Sequence, residues 1–357
     1  MNTIHINTSQ PYDALIGRGI LKNCGELISN ITNRCCAAVI TDTNVNALYS
    51  DIVLDSLTAA GFDICLYVFP AGEQSKTIDT YAKILSFLAE NHLTRTDLVV
   101  ALGGGVVGDI AGFAAATYMR GVRFIQMPTT LLAATDASVG GKTAVDLPSG
   151  KNLAGAFLQP SLVICDCDCF DTLSDGQMAD GIAESIKHGL IADKKFFDQF
   201  CAGGAMQDIV SVVSRNVEIK RSFVVGDERD HSKRQMLNFG HTIGHAIERC
   251  SGYTISHGHA VAIGMAAALH GAASMGFGRP DILERLLRAL GNYSLPSVCP
   301  FDFETIYKVA VGDKKRDRDK MNVVFIKEVG QAFTLPLTLD DFRNFIKAGI
   351  GRDSYGH

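Results

Sequence analysis

The chain has 357 residues, 47% of them hydrophobic, which is enough for two domains and a sizeable buried core. Its 33 Lys and Arg residues are outnumbered by 38 Asp and Glu, and the formal charge of -5 argues against nucleic acid as a partner. No uncharged apolar run reaches the roughly eighteen residues that a membrane span requires, so we expect no membrane partner either.

The first half of the chain alternates between strand and helix patterns, which is typical of a parallel α/β domain. The predicted strands are Ala37–Thr41, Asp63–Phe69, Asp97–Leu102, Arg123–Met127 and Leu162–Cys165. Helical patterns lie between them, for instance at Thr77–His92 and Val107–Met119. Gly, Pro or Asp follows the strand ends, where ligands gather in open α/β sheets.

Beyond about residue 171 the pattern becomes mainly helical. The predicted helices are Gly176–Ile191, Met206–Phe223, Arg234–Cys250, Gly258–Met275, Asp281–Leu290 and Asp340–Lys347, with a strand pair at Val323–Lys327 and Gln331–Thr334. We therefore predict a Rossmann-like α/β nucleotide-binding domain over residues 1–172. A mainly α-helical domain is predicted over residues 173–357.

The ten cysteines are predicted to be buried free thiols in a reducing cytoplasm, because the chain is long and opens with no secretory signal pattern. Cys165, Cys167 and Cys169 alternate at a predicted strand end without a second cluster to match them. We interpret these three as packing residues.

A glycine-rich turn follows the third predicted strand. Gly103, Gly105 and Gly108 satisfy G-x-G-x-x-G between a strand and a helix, a setting that favours a pyrophosphate at the helix N-terminus. A tight turn with close helix packing is the alternative. The ordinary dinucleotide fingerprint follows the first strand of its domain, whereas this glycine turn follows a later one. An earlier predicted strand ends at Asp42, an acid that is well placed for a ribose hydroxyl. A dinucleotide on a variant topology is thus predicted.

Four further residues could line the same sheet edge. Glu73 and Lys76 belong to one predicted loop, and Thr129 and Thr130 follow another strand.

A polar stripe marks the predicted helix at Arg234–Cys250. Its members are Arg234, Asn238, His241 and His245, whose spacing confines them to roughly a 60° arc of one helix face. Burying such a stripe among apolar helices costs free energy unless the stripe faces a cavity. A solvent-exposed helix face without a function is the alternative.

Other residues extend this stripe into a candidate metal site. Glu184 lies upstream, and His257 and His259 lie downstream. Two imidazoles and a carboxylate with an open position would form a zinc-type catalytic site. Spacing alone allows both His241 and His245 to ligate, so the ligand set stays open. Lys187 shares a helix face with Glu184, which is also consistent with a plain ion pair.

Several cations stand beside glycines or candidate site residues in this acidic protein. They are Lys142, Lys151, Lys220, Arg234, Lys314 and Lys315. Each alone is typical of a surface charge, and the run at 313–320 would pass as a solvated loop. Together they indicate one strongly anionic small substrate.

Taken together, these motifs resemble the dehydroquinate synthase family over nearly the whole chain. The motifs are Gly103-Gly-Gly-Val-Val-Gly-Asp-Ile-Ala-Gly-Phe113, Pro128-Thr-Thr-Leu-Leu-Ala133, Asp136-Ala-Ser-Val-Gly-Gly-Lys-Thr143, Lys151-Asn152, Ala183-Glu-Ser-Ile-Lys187 and Leu237-Asn-Phe-Gly-His-Thr-Ile-Gly-His-Ala-Ile-Glu248. The resemblance implies a carbon–oxygen lyase of the shikimate pathway, which supplies chorismate for aromatic amino-acid biosynthesis. Its reaction converts 3-deoxy-D-arabino-heptulosonate 7-phosphate to 3-dehydroquinate by transient oxidation with NAD, β-elimination of phosphate, re-reduction and aldol closure.

The resemblance also assigns residues to roles. The metal, zinc or cobalt, would be held by Glu184, His241 and His257. The NAD-binding residues would be Asp42, Glu73, Lys76, Gly104, Gly105, Val106, Asp109, Thr129, Thr130, Lys142 and Lys151. The substrate would be bound by Arg120, Asp136, Lys142, Asn152, Lys187, Lys220, Arg234, Asn238, His245, Lys314 and Lys315. His245, Lys187 and Asp136 are the catalytic candidates, and Arg120 would reach the phosphate of a neighbouring subunit in a homodimer.

Two departures from the family pattern affect these expectations. The chain has His257-Gly-His259 where the family commonly has His-Gly-Glu, so His259 is a second candidate ligand beside His257. The stretch Leu173–Met178 also differs from the frequent Leu-Pro-x-Arg-Glu-Phe at the domain hinge.

Three other functions compete with this interpretation. A cyclase acting on sedoheptulose 7-phosphate would not need Lys220, Arg234 and Asn238, which suit a carboxylate. A metal-dependent dehydrogenase of the glycerol dehydrogenase type would need fewer cations and would release NADH. A non-catalytic NAD-binding protein would have no use for the histidine stripe.

Overall fold

The chain forms two units that are each discontinuous in sequence, in a computed structural model that describes residues 1–312 and 320–351. The first unit contains Met1–Ser174 and Ile209–Arg229, and the second contains Asp175–Asp208 and the described residues from Asp230 onward. The first break follows Ser174, near the predicted boundary at 172. Residues 209–229, predicted to lie in the C-terminal domain, instead belong to the first unit.

The strands and helices are numbered in chain order. The strands are β1 (Asn2–Ile6), β2 (Tyr12–Gly17), β3 (Cys36–Asp42), β4 (Asp63–Phe69), β5 (Leu98–Gly103), β6 (Arg123–Pro128), β7 (Lys142–Leu147), β8 (Gly150–Phe157), β9 (Leu162–Asp166), β10 (Lys320–Glu328) and β11 (Gln331–Thr338). The helices are α1 (Cys24–Ser29), α2 (Thr43–Ala59), α3 (Ile78–Glu90), α4 (Gly105–Thr117), α5 (Asp175–Ala192), α6 (Lys194–Ala202), α7 (Ile209–Val224), α8 (His241–Cys250), α9 (His257–Ser274), α10 (Pro280–Asn292), α11 (Phe303–Gly312) and α12 (Leu339–Ile350).

Seven strands of the first unit form one sheet in the order β1-β2-β9-β6-β5-β3-β4. β1 pairs antiparallel with β2, and every other neighbouring pair is parallel. The chain winds from β3 out to β4 and then returns to the other side of β3 as β5. Ligands in open α/β sheets bind beyond the carboxyl ends of the strands at such a switch point. The predicted Rossmann-like domain with a variant strand order is therefore confirmed.

The core of this unit forms around β5, whose six residues are all buried. A parallel strand covered on both faces is expected to be a continuous apolar run of this kind. α4 packs Val107, Ile110 and Ala111 into the same core. Gly112 allows this close packing, because a Cβ atom there would lie 2.5 Å from Thr143 Cγ2.

The second unit is built on α5 and α9, which are buried along most of their length. Their small residues let backbones approach closely. A Cβ atom on Gly264 of α9 would lie 2.1 Å from the carbonyl oxygen of Gly240, just before α8. One on Gly258 would lie 2.3 Å from Asp180 Cα on α5. These contacts bring α5, α8 and α9 together, and β10 and β11 add an antiparallel hairpin.

The prediction of one continuous helix over Arg234–Cys250 was wrong. Lys233–Asn238 forms a 3-10 turn, Gly240 takes a left-handed φ of 78°, and α8 starts only at His241. The break lets the backbone at Gly240 pack against α9. A Cβ atom on Gly240 would lie 2.8 Å from Met265 N. Arg234 and Asn238 therefore do not share a helix face with the two histidines.

Some elements were not predicted from the sequence. They are β1, β2, β7, β8, α1, α2, α6 and α11. All ten cysteines are free, as expected, but five of them are only partly buried. Among the described residues no helix is long and apolar enough to cross a membrane.

Candidate active site

The strand-end edge of the first unit is formed by the carboxyl ends of β3, β5 and β6 and the first turn of α4. Parallel register places Thr41 opposite Leu102, and Gly103 opposite Pro128. Because Asp42 follows Thr41, the predicted acid lies on the same edge as the glycine turn. The sheet thus gathers residues that are distant in sequence.

The three glycines of the turn are there for different reasons. A Cβ atom on Gly103 would lie 2.5 Å from Val107 Cγ2, and one on Gly108 would lie 2.8 Å from Gln126 Oε1. Close packing therefore accounts for these two. A Cβ atom on Gly105 would meet only Ala137 Cβ, at 3.7 Å. Packing does not require glycine at this position, where its absent side chain leaves space at the N-terminus of α4.

Two further features make this space suitable for an anion. The N-cap residue of α4 is Gly104, which has no side chain to cap the helix, so the helix dipole favours an anion in this space. Thr129 is buried beside Gly103, and its Oγ1 has no hydrogen-bond partner in the described part of the chain. A pyrophosphate fits these donors. Thr130 accepts a bond from the N–H of Ala133 nearby.

Charged side chains form a network at the same edge. Lys76 is buried, and its Nζ lies 2.5 Å from Asp109 Oδ2 and 2.6 Å from Asn152 Oδ1. Burial raises the pKa of Asp109, although the Lys76 ammonium opposes the shift. Lys151 pairs with Glu73 at 2.7 Å. Five predicted site residues are thus brought together.

Asn152 takes a left-handed φ of 56°, and its N–H donates to Asp146 Oδ1 at 2.8 Å. Asp146 is a residue that the sequence analysis missed.

Other predicted residues of this unit are used or placed differently. Asp42 caps α2 by accepting bonds from the N–H groups of Asn44 and Val45 through Oδ1, so a ribose hydroxyl would be bound by the other oxygen. Arg120 is exposed beyond the C-terminal end of α4, about 20 Å from the glycine turn for a helix of that length. Lys142 begins β7 and is also exposed.

Asp136 and Lys220 pair directly. Lys220 Nζ lies 2.6 Å from Asp136 Oδ1 and also donates to the backbone carbonyl of Asp136. Lys220 is buried on α7, the segment that belongs to the first unit. The carboxylate therefore holds the ammonium in place.

The second unit contains a group of side chains that could hold a metal ion, called the metal group below: Glu184 on α5, His241 on α8 and His257 on α9. One donor atom from each lies within 4.8 Å of the others. Both imidazole Nε2 atoms face Glu184 Oε1, at 3.5 Å for His241 and 3.6 Å for His257. Glu184 is fully buried and also forms an ion pair with Lys187 through Oε2.

The second nitrogen of each imidazole is bound by an oxygen. His241 Nδ1 lies 3.2 Å from the carbonyl oxygen of Phe239, and His257 Nδ1 lies 3.3 Å from Glu248 Oε2. Partners of this kind fix the tautomer and ring orientation of metal-binding histidines. Both rings therefore present Nε2 to the space beside Glu184, and two nitrogens with one carboxylate oxygen fit a zinc-type ion.

The two histidines have pKa values shifted in opposite directions. Burial, together with the Lys187 charge, lowers the pKa of His241 well below its usual range. Burial alone would also lower the pKa of His257, but its bonds to Glu184 and Glu248 raise it to about 10. Without a metal, His257 thus carries a positive charge beside Glu184.

His245 lies at the exposed side of the metal group. Its ring centroid is 5.3 Å from that of His241 and 5.8 Å from that of His257. A second combination of donors, His245 with Glu248 and His257, also lies within 4.8 Å. The set with Glu184 is preferred because its carboxylate is fully buried and both Nε2 atoms face it.

His259 and Arg234 are the other predicted residues of this unit whose surroundings are described. His259 Nδ1 bonds to Asp180 Oδ1 at 3.0 Å, and among the described residues His259 belongs to no group of donors that could hold a metal. Arg234 is buried in the 3-10 turn that also contains Asn238. Lys314 and Lys315 lie outside the described residues.

Glu248 is the clearest residue of this unit that sequence reasoning did not assign. It lies seven residues after His241, two turns along one face of α8, which is a signal that the sequence contained. Asp180 carried no such signal, since its partners lie on another helix.

Comparison with known proteins gives consistent matches. The family model for the 3-dehydroquinate synthase N-terminal domain matches residues 66–180, and that for the C-terminal domain matches residues 181–316. The 3-dehydroquinate synthase of Streptococcus sanguinis is 40% identical over 344 residues, which cover 94% of this chain and 97% of that protein.

Solved structures of two synthases are also similar. The structure of 2-deoxy-scyllo-inosose synthase with carbaglucose-6-phosphate, NAD+ and Co2+ has a TM-score of 0.87 at 25% identity, covering 98% of this chain and 100% of that one. That of 2-epi-5-epi-valiolone synthase from Streptomyces hygroscopicus, with NAD+ and Zn2+, has a TM-score of 0.86 at 26% identity, covering 96% and 97%.

Proposed function

Because the chain belongs to the 3-dehydroquinate synthase family, we propose that it converts 3-deoxy-D-arabino-heptulosonate 7-phosphate to 3-dehydroquinate and phosphate. The observation that carries this proposal is the group of Glu184, His241 and His257 with the His245 imidazole beside it. A nucleotide edge alone would suit many dehydrogenases, whereas this group adds a site for a Lewis acid.

The first unit would hold NAD and the second unit a divalent metal such as zinc or cobalt. Gly105 leaves the space for the pyrophosphate, with Thr129 as a hydroxyl donor. Glu184, His241 and His257 would hold the metal. When bound, NAD would accept and return a hydride, and the metal would favour ionisation of a substrate hydroxyl.

The chain's own residues would bind the substrate and move its protons. His245 is exposed at the metal group and is the candidate for proton transfer. Arg234 is a buried cation that suits the substrate carboxylate. Lys220 is held by Asp136, so its ammonium is fixed before substrate arrives.

Arg120 supports a homodimer as the active form. Its side chain is exposed, and its backbone is in the left-handed region with a φ of 71°. It lies at the end of α4 away from the glycine turn. An arginine so placed suits the phosphate of a neighbouring subunit's substrate. The ten free cysteines support a cytoplasmic location.

A phosphate-release assay tests the proposed substrate. The protein with NAD and zinc or cobalt should release phosphate from the carboxylated heptulosonate phosphate and not from sedoheptulose 7-phosphate. Arg234→Gln should lower this preference, while Arg249→Gln, an exposed residue of the same unit, should not. Equal rates with both sugars in the unmodified protein would overturn the assignment of the substrate.

A further inference from the structure

The first turn of α9, which contains His257, is capped by a carboxylate from another helix. Ser256 occupies the N-cap position, but its side chain does not cap its own helix. Asp180 of α5 accepts the bond from the N–H of His259 instead, at 3.2 Å. This is the N–H group that an N-cap side chain usually binds.

Three donors converge on the same oxygen, Asp180 Oδ1. Besides the N–H of His259, they are Ser256 Oγ at 2.6 Å and His259 Nδ1 at 3.0 Å. Ser256 Oγ and His259 Nδ1 also lie 2.8 Å apart, so the three side chains form one cluster. Asp180, Ser256 and His259 are called the α9 clamp below.

The α9 clamp encloses one metal-binding residue and lies one helical turn from another. Ser256 and His259 flank His257, and Asp180 precedes Glu184 by four residues on α5. Gly258 lets the two helices touch, since a Cβ atom there would lie 2.3 Å from Asp180 Cα. The same bonds therefore fix the position of one ligand relative to the other.

We propose that Asp180 is a positioning residue for the metal, which it serves by fixing the first turn of α9 so that His257 faces Glu184. The inference rests on the proposed metal group. It also gives His259 a role, because this histidine binds the clamp and not the metal group. A glutamate at position 259 would instead place a second carboxylate beside Asp180.

Metal affinity measured by chelator competition, together with the visible spectrum of the Co2+ form, tests the proposal. Asp180→Ala should weaken Co2+ and Zn2+ binding by about 10- to 100-fold, as is typical when outer partners of a metal site are lost. Asp180→Asn keeps an acceptor oxygen and should restore most of the affinity. His259→Glu should weaken binding, and His259→Gln should do so less.

The matched control is Asp193→Ala. Asp193 caps α6 of the same unit by accepting the N–H of Phe196 at 3.1 Å, and it takes no part in the α9 clamp. Its loss should lower the urea midpoint of the apo protein without changing metal affinity. If Asp180→Ala does not fold, Ser256→Ala and His259→Gln replace it, since each removes only one donor.

Wild-type metal affinity in Asp180→Ala, or an equal loss in Asp193→Ala, would overturn the inference. The proposed ligand set itself fails only if Glu184→Gln and His257→Ala retain the metal. Loss of metal in those two variants with full affinity in Asp180→Ala would leave the proposed function intact.

Discussion

The strand-end edge and the metal group are suited to their proposed ligands by opposite means. The edge relies on backbone: a glycine turn, a helix N-terminus and strand ends that the sheet places side by side. The metal group relies on three side chains from three separate helices. A backbone site loses function mainly when something fills it, whereas a side-chain site loses function when one group is removed. This difference predicts how each region responds to substitution.

Removal of one metal-group side chain should have the largest effect. His257→Ala takes away one of three donors, so we expect metal content to fall below about a tenth of the wild-type value and phosphate release to fall at least ~1000-fold. Elemental analysis after dialysis and the phosphate assay measure both. His270→Asn, on the same helix, should retain metal. Unchanged metal content in His257→Ala would refute the ligand assignment.

Metal affinity should depend steeply on pH. The pKa of His257 is raised to about 10 in the metal-free protein, and a metal binds only the neutral imidazole. A proton therefore competes with the metal below that pH, and affinity should rise about tenfold per pH unit, roughly 100-fold between about pH 7 and 9. His241, with its lowered pKa, should release no proton there.

Calorimetry in buffers of different ionisation enthalpy would count the released proton. Glu248→Gln should lower the pKa of His257 and flatten the pH dependence near neutrality. A pH-independent affinity in the wild type would contradict the expected charge on His257.

Adding a Cβ atom at the glycine turn should change NAD affinity and the free energy of unfolding independently of one another. Gly105→Ala meets only Ala137, so it should leave the free energy of unfolding unchanged while NAD affinity falls about tenfold, or roughly 1.4 kcal/mol. Gly103→Ala clashes with Val107 and should instead destabilise the fold by about 1–3 kcal/mol. Titration with NAD and urea unfolding test the pair. Full NAD affinity in Gly105→Ala would argue against a pyrophosphate at this turn.

Filling the break before α8 should lower stability by an amount similar to that expected for Gly103→Ala. Gly240→Ala forces a left-handed φ on a residue with a Cβ atom 2.8 Å from Met265 N, and should cost roughly 1–3 kcal/mol. Gly291→Ala, in α10 with open space around it, should be neutral or slightly stabilising. Urea unfolding compares them, and equal stabilities would mean that the break is not required.

The strand-end edge could be predicted from sequence because its determinants are local. The strand, glycine turn and helix start are consecutive between Asp97 and Asp109, and each has its own signature. The sequence did not show that Gly103 and Gly108 are needed for packing whereas Gly105 borders open space. This difference depends on the side chains that surround each glycine in the fold.

The metal group was harder to predict because its members meet only through helix packing. The predicted stripe assumed a continuous helix, and Gly240 breaks it to approach α9. Spacing placed His241 and His245 together but could not choose between them, nor between His257 and His259. In the structure His257 bonds to Glu248 and His259 bonds to Asp180, which supports His257 as the proposed ligand.

The most direct test of the proposed reaction is whether NAD acts catalytically. With metal, excess heptulosonate phosphate and NAD at a small fraction of the substrate concentration, the protein should release many phosphates per NAD while NADH absorbance stays at baseline. Phosphate release that stops at one per NAD, or a steady rise in NADH, would contradict the cyclase and favour a simple dehydrogenase.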